Sequence, residues 1–205
     1  MSTPRRLLEQ ALTIFRERGD RNGEAWSLVD LGAVRRVTGD YPQAAGLLEQ
    51  ALTIRGENCL HDDYDRVLVE LGALQQMTGN YPQAADLLEQ ALTIRREIGN
   101  RGGEAEILNH QGALLCTSGD PAKARERHLR ALELARGAGN PLEEARALAG
   151  TGRCAMSMRI ADGPADLRKA LEIFRRIGAA EAVDLPAADD LHPSHTASGC
   201  TLAEN

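Results

Sequence analysis

A sixteen-residue segment occurs twice in this chain, and the two copies start forty residues apart. Residues 39–54 read GDYPQAAGLLEQALTI and residues 79–94 read GNYPQAADLLEQALTI. The same spacing continues in four glycines and four alanines: Gly32, Gly72, Gly112 and Gly152, and Ala11, Ala51, Ala91 and Ala131. A fixed period of roughly 20–50 residues is typical of proteins built from stacked structural repeats, so this feature constrains the fold more than any other.

Two helical patterns and a short turn make up each period. In the first pattern, helix A, Leu28 and Gly32 share one helical face, and the glycine lets a neighbouring helix approach closely. In the second pattern, helix B, Leu48 and Ala51 follow the spacing of an amphipathic helix. The intervening TGDYP (38–42) combines a helix-ending glycine with a helix-starting proline, which predicts an antiparallel hairpin. Stacked hairpins bury apolar faces that a single hairpin leaves exposed.

The sequence therefore predicts an all-α chain of nine helices. Aromatic residues make up only 3% of it and apolar residues 42%, which favours helices packed through Ala, Leu and Gly over a sheet. The predicted helical elements of a repeat domain at 1–178 are one helix B at 4–18 and hairpins at about 22–57, 62–98, 102–137 and 141–177. We expect residues 179–205 to be a disordered tail, because they are rich in Pro, Ala, Asp and Ser without a helical period.

Five positions of the first hairpin resemble the tetratricopeptide repeat: Leu28, Leu31, Gly32, Ala44 and Ala51. The second hairpin has the same residue types forty positions later. The unit length is similar to the forty-residue variety in LGN-like and kinesin-light-chain-like adaptors and in AfsR-type bacterial regulators. The resemblance implies a right-handed α-α superhelical solenoid that binds other proteins. Armadillo and HEAT arrays, with periods of about 40–47 residues, match the Leu-Gly and paired Ala positions less well.

Charge and motif content argue against several classes of function. The formal charge of −6 does not favour a nucleic-acid binder, which needs a basic face. The sequence has no apolar run long enough to cross a membrane and no apolar leader segment, so we expect a cytoplasmic protein without membrane contact. It contains no phosphate-binding loop, dinucleotide fingerprint, zincin motif or hydrolase elbow. We therefore expect no enzymatic activity, no catalytic residues, no cofactor and no metal.

Histidine and cysteine residues give the remaining candidates for chemistry. Cys59, Cys116, Cys154 and Cys200 lie far apart in sequence, which indicates reduced thiols rather than a disulfide framework or zinc site. We interpret His61, Asp62 and Asp63 as solvated loop residues. His192, His195 and Cys200 could hold a metal only if the tail folded around it.

The resemblance assigns partner binding to the concave surface formed by the A helices. The predicted binding residues are Trp26, Asp30, Arg36, Arg66, Glu70, Gln76, Glu106, Asn109, His110, Arg146 and Arg153. Acidic residues predominate in the first three copies and arginine in the fourth, which suggests a ligand oriented by charge. For each polar residue the alternative is an ordinary solvated helix face. Trp26 is either an anchor in this groove or a core residue packed against Phe15, and we favour the core position.

The leading hypothesis from sequence is a protein-interaction scaffold for a peptide or helix of a partner protein. It could be the sensor or docking part of a larger signalling regulator. The alternative is a structural module that self-associates through the open ends of its helical array.

Overall fold

The computed structural model describes residues 4–57 and 64–183, and within these ranges the regular elements are all helical. The described residues form nine α-helices, followed by a 3₁₀ turn at Ala180–Val183. The helices are α1 Pro4–Arg18, α2 Arg21–Val37, α3 Tyr41–Glu57, α4 Tyr64–Met77, α5 Tyr81–Glu97, α6 Arg101–Thr117, α7 Pro121–Ala138, α8 Pro141–Ser157 and α9 Gly163–Ile177. The predicted all-α class is confirmed. No helix in the described ranges is long and apolar enough to span a membrane.

Local capping explains where several helices begin and end. The side chains of Asp20, Asp120 and Asn140 each accept a hydrogen bond from a backbone N–H in the first turn of the following helix. Gly139 and Gly178 end α7 and α9 in the left-handed conformation, which glycine adopts without strain. The turn signals in the sequence thus set the hairpin boundaries.

The chain divides into two compact units, Met1–Asn100 and Arg101–Asn205. In the first unit, α1 packs on α2, α2 packs on α3 and α4, and α4 packs on α5. Its core is formed by fully buried Leu and Ala side chains of α2 and α3, with Leu12 from α1 and Val67 and Leu74 from α4. Leu12 therefore places α1 against one side of this core.

The second unit contains α6, α7, α8 and α9. α8 contacts α6, α7 and α9, and the 3₁₀ turn packs against α9. Leu148 of α8, with Leu167, Leu171 and Phe174 of α9, forms a buried apolar cluster. Ala179 and Ala182 pack against the same cluster, so helical-unit contacts extend beyond Gly178 into the segment predicted as a tail. Residues 184–205 lie outside the described residues.

The repeated glycines are contact points between helices A and B. A Cβ added to Gly32 would lie 2.8 Å from Leu48 Cγ, and one added to Gly72 would lie 3.1 Å from Leu88 Cγ. Both distances are shorter than an ordinary contact between two carbon atoms. Because glycine has no side chain, the two helices of each hairpin can approach this closely. The glycines Gly32 and Gly72 are therefore forty residues apart because the same contact between helices A and B occurs in both hairpins.

Candidate functional site

An exposed surface of the first unit is formed by α2 and α4, the two consecutive A helices. We call it the α2/α4 face, and it contains six of the predicted binding residues: Trp26, Asp30, Arg36, Arg66, Glu70 and Gln76. Trp26 is exposed and the other five are half-buried. These six predicted residues thus lie on two neighbouring helices of one unit.

Trp26 is the aromatic residue of this face, and its ring is held by arginine. The guanidinium carbon of Arg66 lies 4.6 Å from the ring centroid and that of Arg55 lies 5.9 Å away. Both distances are in the range of cation–π attraction. The side chain keeps 40% of its surface exposed, so the favoured core position was wrong. Phe15 lies over Gly23 instead, where an added Cβ would be 2.3 Å from its ring.

Two ion pairs join α2 to α4 across the face. Arg36 Nε lies 3.1 Å from Glu70 Oε2, and Asp30 is paired with Arg66. Each of these carboxylates is balanced by an arginine from the neighbouring helix. The predicted acidic character of this part of the groove is therefore compensated within the protein, because opposite charges alternate between the two helices.

In the second unit, the corresponding positions form a largely buried hydrogen-bond network. Asn109 is only 7% exposed, although the sequence placed it on the binding surface. Its Nδ2 donates to the backbone oxygen of Glu143 at 3.1 Å and to Glu143 Oε2 at 2.9 Å. Because Nδ2 is committed to these acceptors, Oδ1 faces His128, and the ring Nδ1–H of His128 donates to it at 3.0 Å. Asn109 is thus a core hydrogen-bonding residue.

Arg146 extends the network to the surface. It donates to Glu143 at 2.7 Å and to Glu181 of the 3₁₀ turn at 2.6 and 3.1 Å. Partial burial acts to lower the pKa of Arg146, but its bonds and charge interactions with Glu181 and Glu143 outweigh burial and raise it. Arg146 therefore ties α8 to the residues after Gly178, rather than standing as an unengaged groove charge.

His128 is a residue that the sequence reasoning missed. It lies in α7 between Gly112 of α6 and Gly150 of α8, and a Cβ on either glycine would come within 2.5 Å of the imidazole. Burial, followed by the charge of Arg153, lowers the pKa of His128 to about 4. It occupies the position of Leu88 and Leu48, forty and eighty residues earlier, and this match was the signal for a core position.

The remaining predicted residues lie on α6 and α8. Glu106 and His110 are half-buried, and Arg153 is exposed. Arg153 directly precedes Cys154, whose sulfur lies 3.5 Å from that of Cys116. Cys116 and Cys154 are therefore neighbours, contrary to what their distance in sequence suggested. Cys59, His61, Asp62, Asp63, His192, His195 and Cys200 lie outside the described residues, so their predicted roles remain predictions.

The sequence matches two family models described as tetratricopeptide repeat, one over residues 5–57 and the other over residues 67–98. No curated protein matches it. The fold resembles the crystal structure of BtubC (BKLC) from P. vanneervenii, with 17% identity, a TM-score of 0.69, and coverage of 100% of this chain and 97% of that one.

Two further structures are similar at 16% identity. One, from Podosopora anserina, has nearly identical TPR-like repeats of kinesin-light-chain type, with a TM-score of 0.61 and coverage of 85% of this chain and 86% of that one. The other is a signal-transduction ATPase with numerous domains and a tetratricopeptide-repeat sensor from Pyrococcus horikoshii, with a TM-score of 0.67 and coverage of 84% of this chain and 26% of that one. Together with the forty-residue register and the helical hairpins, these matches show that the chain contains tetratricopeptide repeats and has an all-α repeat-solenoid fold.

Proposed function

We propose that this protein is an interaction scaffold that holds a peptide or helical segment of a partner protein on the α2/α4 face. Tetratricopeptide repeats are in general protein-interaction scaffolds. The observation that carries the proposal for this surface is Trp26, a large aromatic side chain that is 40% exposed yet held in place by Arg66. A fixed aromatic loses little conformational freedom on binding, and tryptophan is enriched among residues that dominate interface energies.

The charges around Trp26 define the chemistry of the partner segment. Asp30 and Arg66 are each more than a third exposed, and an ion pair of this exposure contributes about 0–1 kcal/mol to stability. A carboxylate of the partner can therefore replace Asp30 beside Arg66 at little cost in free energy. The segment we expect presents an apolar side chain to the Trp26 ring and a carboxylate to Arg66. Its orientation and association rate depend on these charges more than its affinity does.

Similar proteins support a docking role within a larger assembly. The Pyrococcus horikoshii structure is a multidomain ATPase in which the repeats are named as the sensor, and this chain covers 26% of it. By analogy, we propose that this chain is the sensor or docking part of a signalling regulator. This proposed role in a regulator is based on similarity of fold, whereas the proposed binding surface is based on the contacts of Trp26, Asp30 and Arg66.

Trp26 also supplies the assay, because it is the only tryptophan in the sequence. Peptides selected from a random displayed library against the whole protein should change its tryptophan fluorescence on titration. Trp26→Ala should weaken binding of the selected peptides by about tenfold or more, measured by calorimetry. Trp26→Phe should retain part of the affinity, since it keeps an aromatic face.

Leu129→Ala is the matched control. Leu129 is 39% exposed, close to the exposure of Trp26, but lies on α7 in the other unit. Its replacement should leave peptide affinity unchanged. Equal affinity of the selected peptides for the native protein and Trp26→Ala would exclude the α2/α4 face as the binding surface.

Self-association is the second candidate function, and α1 provides the observation that favours it. Leu7 and Ile14, two turns apart on this helix, are 53% and 46% exposed. Burying such a face against a second copy would remove apolar surface from water. Sedimentation analysis of the native protein and of the double variant Leu7→Lys, Ile14→Lys tests it: a native dimer that the variant abolishes supports self-association, and a native monomer at high concentration refutes it.

A further inference from the structure

Two cysteines of the second unit lie side by side although thirty-eight residues separate them in sequence. Cys116 is in the last turn of α6, Cys154 is in α8, and their Sγ atoms are 3.5 Å apart. Cys116 is exposed, whereas Cys154 is fully buried. A dissolved reagent therefore reaches one sulfur, and the other is in contact with the first.

The surroundings of the pair divide the chemistry between the two residues. Burial and the contact with Cys116 raise the pKa of the Cys154 thiol to about 12, against the opposing charges of Arg125 and Arg153. Cys154 thus keeps its proton at neutral pH. Cys116 is the exposed member of the pair, so its sulfur is the one that a dissolved oxidant meets first.

We infer that Cys116 and Cys154 form a redox modification site in which a peroxide oxidises Cys116 and Cys154 resolves the product to a disulfide. In the first step the Cys116 thiolate attacks one oxygen of hydrogen peroxide. The O–O bond breaks, and hydroxide leaves and is protonated to water. In the second step Cys154 Sγ attacks the sulfur of the Cys116 sulfenic acid, the S–O bond breaks, and the Cys154 proton leaves with the hydroxide as a second water. One peroxide is reduced to two waters and two thiols are oxidised to one disulfide.

The positions of the two residues suit the bond that forms. A disulfide requires a sulfur separation of about 2.05 Å, so the sulfurs must approach by roughly 1.5 Å. Cys116 lies one residue before the end of α6 at Thr117, where the helix end is exposed and can shift without disturbing the core. The bond would join α6 to α8 around α7. It would restrict the relative movement of the two A helices that carry His110 and Arg146.

The test uses the full chain with Cys59→Ser and Cys200→Ser, so that only this pair remains. After treatment with hydrogen peroxide and alkylation of residual thiols, trypsin should release peptide 102–123 linked to peptide 154–159. The linked species should be lighter than the two peptides by two hydrogen atoms and should disappear with dithiothreitol. The oxidised protein should unfold at a higher temperature than the reduced one, since the link constrains the unfolded chain.

Two single variants distinguish the roles of the sulfurs. In Cys154→Ser, the sulfenic acid on Cys116 has no resolving thiol and should be trapped by dimedone. In Cys116→Ser, Cys154 should stay unmodified at the same peroxide concentration, with circular dichroism confirming that both variants are folded. Absence of the linked peptides from the folded protein overturns the inference. So does oxidation of Cys154 in Cys116→Ser at the rate seen for Cys116, or preferential linkage of Cys116 to Cys59 or Cys200 in the native sequence.

Discussion

The buried imidazole of His128 should make the second unit sensitive to mild acid. The neutral ring fits between Gly112 and Gly150 and donates to Asn109, whereas an imidazolium there would carry a charge with 4% of the residue exposed. Its pKa in the folded protein is about 4, against an ordinary value of 6.5. The unfolded chain therefore binds the proton between these values and the folded chain does not.

The sign and size of the effect follow from proton linkage. The contribution to stability is fully present above pH 6.5 and is lost progressively as the pH falls towards 4, below which the folded protein also binds the proton. The difference of about 2.5 pH units corresponds to roughly 3 kcal/mol of unfolding free energy. That is a large part of the stability of an ordinary domain, about 5–15 kcal/mol.

The informative variant is His128→Leu, which places the residue type of Leu48 and Leu88 at the equivalent position. Denaturant unfolding measured by circular dichroism at pH 7.5, 6.5, 5.5 and 4.5 should show a smaller loss of stability in the variant. The two proteins share their other ionisable groups near this site, including Glu143, Arg146, Arg153 and Glu181, so carboxylate titration largely cancels in the comparison. Absolute stability is not the criterion, because the variant also leaves Asn109 Oδ1 without its donor, at about 1–3 kcal/mol.

The double variant His128→Leu, Asn109→Val controls for that lost hydrogen bond, since Val69 occupies the position forty residues before Asn109. Because Asn109→Val also removes the amide donor of Glu143, the double variant is compared with Asn109→Val alone, and it should lose less stability than that single variant between pH 7.5 and 4.5. A direct reading comes from the imidazole proton resonances: the signal absent from His128→Leu should titrate near pH 4. Titration of that signal near 6.5, or equal pH slopes for native protein and variant, would refute the buried neutral histidine.

Two further predictions concern stability. Gly152→Ala should destabilise the protein by about 1–3 kcal/mol, because the new Cβ would meet the backbone oxygen of Gly163 at 2.9 Å. Gly72→Ala is its matched control and should lie within about 1 kcal/mol of the native protein, since the tight contact of its Cβ is with the Leu88 side chain at 3.1 Å, the backbone oxygen of Ala84 lies at an ordinary 3.5 Å, and alanine favours the helix; equal thermal shifts for the two would contradict this. Truncation after Val183 should leave the melting temperature unchanged, whereas truncation after Gly178 should lower stability by about 1 kcal/mol through loss of the half-exposed Arg146–Glu181 pair and the adjoining alanine contacts; identical melting of the two truncated proteins would show that the 3₁₀ turn contributes nothing.

The sequence predicted the helices and the A–B contacts well because both follow the forty-residue period directly. A helix that places Leu48 against Gly32 repeats the same contact with Leu88 and Gly72. Turn signals fixed the ends of the hairpins. Local chemistry and a single repeated interface were sufficient for this level of the fold.

Contacts between consecutive A helices were harder to predict because they do not follow the period. Arg36 meets Glu70 after 34 residues, Asp30 meets Arg66 after 36, and Cys116 meets Cys154 after 38. Consecutive A helices are offset along their axes. Asp30, for example, lies beside Arg66 and not beside Glu70, the residue forty positions later. The offset depends on how side-chain ridges interlock, which a pattern of apolar residues alone does not specify.

Because the ring of His128 needs space beside Gly112 and Gly150, the hairpins of this chain are not equivalent to one another. Gly150 aligns with Asp30, Glu70 and His110, so the fourth hairpin is the copy that leaves this position without a side chain. A duplication that copied the second hairpin over the third would bring leucine to the space beside Gly150 and valine to the place of Asn109, and would remove the amide donor of Glu143. We therefore expect replacement of the third hairpin by a copy of the second to weaken its contact with the fourth hairpin.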